Sequence, residues 1–248
     1  AEAVEFVRGP KGTDVILLIE RDGETFEVVI ERDVIKIKSV QGKILEENLA
    51  YVRLSRFGLH TDEDLDGVLR ELMVEEPDGL ILDLRHNPGG GLNSVVDIAD
   101  EFLPEGLVLV QEFGDGVERK FDSKEGGLAE EIPMVVLIDE GSASASEVLA
   151  GAIRDRDRGV LIGQSSFGKG TVQSWQPLSN GGGLRLTISR WLTPEEIWVH
   201  EEGLSPDYRI ELPEFDPDQE FEDTQLQGAI DYLLGDPVIE SAPEAEES

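Results

Sequence analysis

Ser144 stands between a short apolar run, Met134-Val135-Val136-Leu137-Ile138, and a helical pattern that continues to about Arg156. A serine there lies in the field of a helix N-terminus, which favours an anion developing beside it. The amide of Ala145 faces the same point. That setting suits a nucleophile, but Ser144-Ala145-Ser146-Glu147 equally fits a capping box, the commoner use of a serine at a helix start. Upstream, Gly89, Gly90 and Gly91 let the backbone approach a ligand and aim N–H groups at it, or simply form a pliable turn. Lys169 lies between Gly168 and Gly170 and is one of only seven lysines in an acid-rich chain. A lysine acting as general base must be neutral, which takes desolvation or a nearby positive charge. A phosphate-loop reading of Gly168-Lys169-Gly170 fails on the spacing of the glycines and of the following Ser/Thr. Taken singly, each residue has an ordinary structural reading, and that reading is the commoner one; only their combination bears on chemistry.

Such residues need a rigid frame. Gly79-Leu80-Ile81-Leu82-Asp83-Leu84 and Met134–Ile138 read as strands of a buried parallel sheet, because both are apolar without alternation. Each runs into a glycine- or serine-rich turn and then a helical pattern; the first helix carries Val95, Val96, Ile98, Ala99 and Phe102. Ala50–Leu54 precedes them as a strand, and Thr61 is placed to cap a helix bearing Leu65, Val68, Leu69, Leu72 and Met73. Val160-Leu161-Ile162 is a further strand. Leu184, Leu186 and Ile188 alternate with Arg185, Thr187 and Ser189, which predicts a half-exposed strand. Repeated strand–loop–helix units predict an α/β core with a largely parallel sheet, whose chemistry gathers where strands end. Val15–Ile19 and Phe26–Ile30, around Arg21-Asp22-Gly23, predict two strands following a helix end. They are too little for an independent domain and read as the tail of something longer. Past Pro213 the chain is acidic, with one helix predicted near Gln225–Leu234 and disorder over Ser241–Ser248.

Composition narrows the classes. Acidic residues number 54 against 21 basic, for a formal net charge of −33. Such a surface repels nucleic acid and anionic lipid. It fits either a strongly solvated surface or adaptation to high salt, where counterions screen self-repulsion. There is no cysteine, so thiol nucleophiles, thiolate metal sites and disulfides are excluded. His60, His86 and His200 lack metal-like spacing, and no cofactor or metal is expected. No run approaches the length of a membrane-spanning helix.

Five blocks in order resemble the carboxy-terminal processing, or tail-specific, peptidases of the S41 type. They are Leu82-Asp83-Leu84-Arg85-His86-Asn87-Pro88-Gly89-Gly90, Gly141–Glu147, Phe167-Gly168-Lys169-Gly170-Thr171-Val172-Gln173, Trp191-Leu192-Thr193-Pro194 and Gly203-Leu204-Ser205-Pro206-Asp207. The resemblance implies a crotonase/ClpP-like core preceded by the last part of a PDZ domain, whose carboxylate-binding front is absent here. The implied boundaries are 1–33 for the PDZ-like part, 34–213 for the peptidase core and 214–248 for an acidic helix and tail. It implies a serine endopeptidase with Ser144 as nucleophile, Lys169 as general base, Gln173 holding the lysine, and amides of Gly89 or Gly90 and of Ala145 as oxyanion hole. Substrates would be proteins with apolar, unstructured C-termini, met outside the cytoplasm or at the cell envelope, and the chain could be oligomeric. Pro194-Glu195-Glu196 departs from relatives, which often carry glycine there, and implies an altered turn. A ligand-binding relative without activity, a PDZ-type adaptor and a thioester-acting crotonase-like enzyme are the competing readings.

Overall fold

The computed structural model describes residues 2–21, 23–34, 38–213 and 221–241. Asp22 of the first turn, the acidic stretch 214–220 and the tail 242–248, which carries the disorder expectation, lie outside the described residues. The chain divides into two compact units, Ala1–Lys38 and Ser39–Ser248.

In the first unit, α1 (Glu2–Val7) precedes β1 (Asp14–Arg21) and β2 (Glu24–Glu31), an antiparallel hairpin in register from Asp14↔Glu31 to Arg21↔Glu24. Gly23 closes it at φ 80°, the left-handed region that costs glycine little. Arg32 staples the helix end to the hairpin, donating to Val7 O at 2.8 Å, Thr13 Oγ1 at 2.9 Å and Asp14 O at 2.8 Å. Ile16, Leu18 and Val29 remain exposed on the ribbon.

The second unit runs β3 (Val40–Ile44), β4 (Leu49–Leu54), α2 (Thr61–Met73), β5 (Gly79–Asp83), α3 (Leu92–Ala99), β6 (Gly106–Phe113), β7 (Glu118–Ser123), β8 (Met134–Ile138), α4 (Ala145–Asp155), β9 (Val160–Gly163), β10 (Thr171–Pro177), β11 (Gly183–Leu192), β12 (Tyr208–Arg209) and α5 (Thr224–Leu234). One sheet has the order β12-β9-β8-β5-β4-β3, parallel except for β3. A second, antiparallel sheet has the order β10-β11-β6-β7. The fold is mixed α/β.

The unbroken apolar runs are explained by cover on both faces. Leu80, Leu82, Val136 and Ile138 pack with Leu65 and Leu69 of α2, Ile98 of α3 and Leu149 of α4. Ile81, Val135, Leu137 and Ile162 face the other way, against Ala229 and Ile230 of α5. A buried polar network ties α5 to the sheet. Arg85 reaches both oxygens of Asp83 (3.0 and 2.8 Å) and both of Asp223 (2.8 and 2.9 Å), the residue that caps α5. Tyr51 Oη donates to Asp83 Oδ2 at 2.5 Å.

Burial pushes the Asp83 carboxyl up, but the Arg85 guanidinium and the Tyr51 hydroxyl outweigh it and hold it below its ordinary value. A depressed carboxylate contributes stability that is present above the unfolded pKa, about 3.9, and is lost as pH falls through the lower folded value. Urea midpoints are therefore expected to fall below about pH 4, and Asp83→Asn should flatten that acid limb. An acid limb as steep in Asp83→Asn as in wild type would rule the network out as its source.

Three expectations need correction. Thr61 is the first residue of α2, not its cap; His60 holds that position, while Thr61 Oγ1 accepts from Gly58 N at 2.9 Å and serves the preceding turn. Helix α3 ends at Ala99, with the buried Phe102 just beyond it. Strand β11 is not half-covered: residues 183–188 are exposed on both faces, because β10 and β11 run on past the layers that bury Ser189 and Trp191. The turn at Pro194-Glu195-Glu196 closes with Glu196 at φ 63° and its N–H on Thr193 O at 2.9 Å.

Candidate active site

Strand β8 ends at Ile138, and the chain must reverse into α4 within a few residues. It does so through Ser144, which is held at φ 58°, ψ −113°, a conformation costly for any residue with a Cβ. Ala143 N donates to Asn87 O at 2.9 Å on one side, and Val148 N to Ser144 O at 3.0 Å on the other. The capping-box reading is right about place: Ser144 is the N-cap, and Glu147 receives the Ser144 N–H at 2.6 Å. Such strain persists only where neighbours over-determine it, and it gathers at functional sites.

The glycine turn after β5 docks on this elbow. Asn87 is fully buried; it donates from Nδ2 to Leu54 O at 2.7 Å and accepts the Gly89 N–H on Oδ1 at 2.9 Å. Gly89 sits at φ 90°, and a Cβ there would stand 2.8 Å from Ala145 N and 2.9 Å from Ser144 Cβ. Gly90 lies beside Phe57, which donates to Gly89 O and accepts from Gly91 N, both at 3.1 Å, and a Cβ on Gly90 would run into the Phe57 carbonyl. The Gly89 N–H is thus spent inside the turn. Among the described residues the amides of Gly90 and Ala145 donate to no protein acceptor.

The lysine loop is clamped through its backbone. Glu147, fully buried, accepts from Ser166 Oγ and Gly168 N on Oε1 (both 2.7 Å) and from Lys169 N on Oε2 (2.9 Å), besides Ser144 N. Trp191 Nε1 donates to Lys169 O at 3.0 Å, Trp198 Nε1 to Gly170 O at 2.9 Å, and Glu201 N to Gly168 O at 2.9 Å. Leu204 N adds a bond to Ser166 Oγ at 2.7 Å. One carboxylate therefore fixes the main chain of Ser144 and of Lys169 together, although 22 positions separate Glu147 from Lys169.

Ser144, Ala145, Gly90, Lys169 and Gln173 line a single cleft of about 340 Å³, with Leu92, Val148, Val172, Trp175 and Trp191 as apolar wall. Gly89 stands behind it. Lys169 is half-buried and Gln173 exposed; no hydrogen bond joins Lys169 Nζ to Ser144 or to Gln173 among the described residues. Of the residues singled out from the sequence, Ser144, Ala145, Gly90, Lys169 and Gln173 line the cleft and Gly89 does not; Arg185, Glu147's hold on the lysine loop and the indole donors left no signal there. Glu147 had been visible only as the acidic end of a capping box.

A sequence profile for Peptidase family S41 matches residues 48–210, the stretch that holds the glycine turn, the serine elbow and the lysine loop. The chain belongs to peptidase family S41. This S41 chain is 40% identical over 219 residues to the carboxy-terminal-processing protease of Bartonella bacilliformis, a match covering 86% of this chain and 50% of that protein. It is 37% identical over 242 residues to the carboxyl-terminal-processing protease of a Synechocystis species, covering 94% and 56%. The chain thus spans about half the length of these curated relatives. Among solved structures, a photosystem II D1 C-terminal processing protease superposes with a TM-score of 0.67 at 29% identity, over 83% of this S41 chain and 58% of the other.

Proposed function

We propose that this chain is the catalytic part of a carboxy-terminal processing serine endopeptidase working through a Ser144–Lys169 dyad. The observation that carries the reading is the cleft shared by Ser144 and Lys169, whose main chains are bonded to the one Glu147 carboxylate. In this reading the neutral Lys169 amine takes the proton from Ser144 Oγ as the oxygen attacks a peptide carbonyl. The oxyanion is received by the amides of Gly90 and Ala145, each worth about 3 kcal/mol to the transition state. Lys169 passes its proton to the leaving amine, and an acyl-enzyme remains on Ser144. Water then releases it, with Lys169 again as base. Gln173, on the same cleft wall, holds the lysine amine once substrate closes the site. Gly89 supports the turn rather than the oxyanion, because its N–H is already given to Asn87.

The finer architecture is read in the same way. The covered sheet is assigned a crotonase/ClpP-like core over 34–213, the hairpin of 1–33 part of a PDZ-like domain, and 214–248 an acidic appendage. Substrates are proteins with apolar, unstructured C-termini, met outside the cytoplasm. No helix among the described residues is long and apolar enough to cross a membrane. The acidity fits a high-salt setting, screened at molar salt by a Debye length of about 3 Å.

A fluorophosphonate probe followed by peptide mass mapping tests the dyad. The adduct is expected on Ser144 at neutral pH, and Lys169→Ala should slow its formation at least about 100-fold. Labelling elsewhere, or at an unchanged rate in Lys169→Ala, would remove the dyad.

A further inference from the structure

The charge of the cleft is opposite to that of the chain around it. Acidic residues outnumber basic ones 54 to 21, yet among the described residues no carboxylate lines the cleft, and its two basic side chains are Lys169 and Arg185. Lys169 has a role in the dyad; Arg185 has none. The register of the β10–β11 hairpin explains how it arrives there. Gln173 pairs with Thr187 and Trp175 with Arg185, so these four share one face of the ribbon. The Trp175 indole lies across Gly183, which has no side chain to obstruct it. Arg185 forms no ion pair, hydrogen bond or ring contact among the described residues. Arg190, further along the same strand, is locked bidentate on Glu112 at 2.8 to 3.1 Å. In so acidic a chain, an arginine that lines the cleft and pairs with no carboxylate among the described residues is a receptor left open.

We propose that Arg185 receives a carboxylate of the bound peptide, while Trp175, Val172 and Leu92 take apolar side chains beside it. The proposal rests on the peptidase reading and deepens it: the substrate segment in the cleft combines apolar residues with a negative charge. A guanidinium suits the task because it is always charged and meets a carboxylate with two parallel N–H bonds. The carboxylate comes either from a free C-terminus a short way past the cut or from an Asp or Glu side chain. An acid-rich outer surface with a cationic cleft also repels anionic chains everywhere except at the point of cleavage.

Binding separates this proposal from catalysis. Fluorescein-labelled alanine- and valine-rich peptides are titrated into the Ser144→Ala protein, read by anisotropy. Three otherwise identical peptides are used: one with a free C-terminal carboxylate, one C-terminally amidated, and one amidated with an internal glutamate. At least one carboxylate peptide is expected to bind about tenfold more tightly than the uncharged one. Arg185→Ala should erase that preference while leaving the uncharged peptide's Kd unchanged, and Arg185→Lys should restore part of it. Preference for the free terminus identifies the α-carboxylate as the source; preference for the glutamate peptide identifies a side chain. Equal binding of all three, no binding of any, or a preference that survives Arg185→Ala overturns the proposal. Cleavage of the same peptides by the wild-type protein is scored separately. Peptides that bind with the Arg185-dependent preference but are never cut sink the peptidase reading alone.

Discussion

Ser144→Gly is expected to abolish turnover of an unfolded reporter protein and, at the same time, to make the protein more stable. Loss of a nucleophile that works as a unit with its base removes about 10⁴-fold or more of activity. The gain comes from the backbone. At φ 58°, ψ −113° a residue with a Cβ is strained, at a cost of about 1–3 kcal/mol. Glycine sheds that cost but gives back about 0.5–1 kcal/mol through the freedom of its unfolded chain. A net gain of about 1 kcal/mol in urea unfolding is the expected balance. Ser144→Ala loses activity equally but keeps the Cβ, and should show no gain. If the glycine variant proved less stable than the alanine variant, the elbow would not be storing strain.

Glu147→Gln should be almost as damaging as Glu147→Ala, which is unusual for so conservative a change. Each oxygen of Glu147 faces two donors: Ser166 Oγ and Gly168 N on Oε1, Ser144 N and Lys169 N on Oε2. An amide NH₂ put in place of either oxygen would point its hydrogens at a main-chain N–H that cannot turn away. A buried donor left without an acceptor costs about 1–3 kcal/mol, and at least two are stranded. Both variants are expected to lose about 3 kcal/mol or more of stability. At temperatures where they stay folded, reporter turnover should fall more than about 100-fold, because both halves of the proposed dyad lose their common anchor. Ser166→Ala removes one of the four donors to Glu147 and also strands the Leu204 N–H, so it should lose stability but, where folded, retain most activity because both main-chain bonds from Ser144 and Lys169 persist. Full activity in folded Glu147→Gln would show that the anchor is dispensable.

Much of the frame was legible in sequence because its causes are local. Apolar runs without alternation announced β5 and β8, and the glycines and serines after them announced the turns. The five ordered blocks pointed to family S41, which the match over 48–210 bears out. Element ends were less legible. Thr61 has the chemistry of a cap, but its hydroxyl is drawn to the Gly58 amide. Leu184, Leu186 and Ile188 alternate as a half-buried strand should, yet no layer covers them, and nothing in ten residues of sequence tells whether one exists.

By itself, then, the sequence determined the family, the parallel α/β frame and the membership of Ser144, Lys169 and the glycine turn. Each of these is carried by the residue types and spacing within a single strand–turn–helix unit. Only the tertiary structure decided which amides stay open, that one carboxylate serves both serine and lysine, and that Arg185 enters the cleft. Those facts depend on which strands lie side by side, which brings residues 22 and 59 positions apart within bonding distance, and on the β10–β11 register, which sets Arg185 opposite Trp175. Hydrogen bonds at that separation are set by packing, and no local pattern records them.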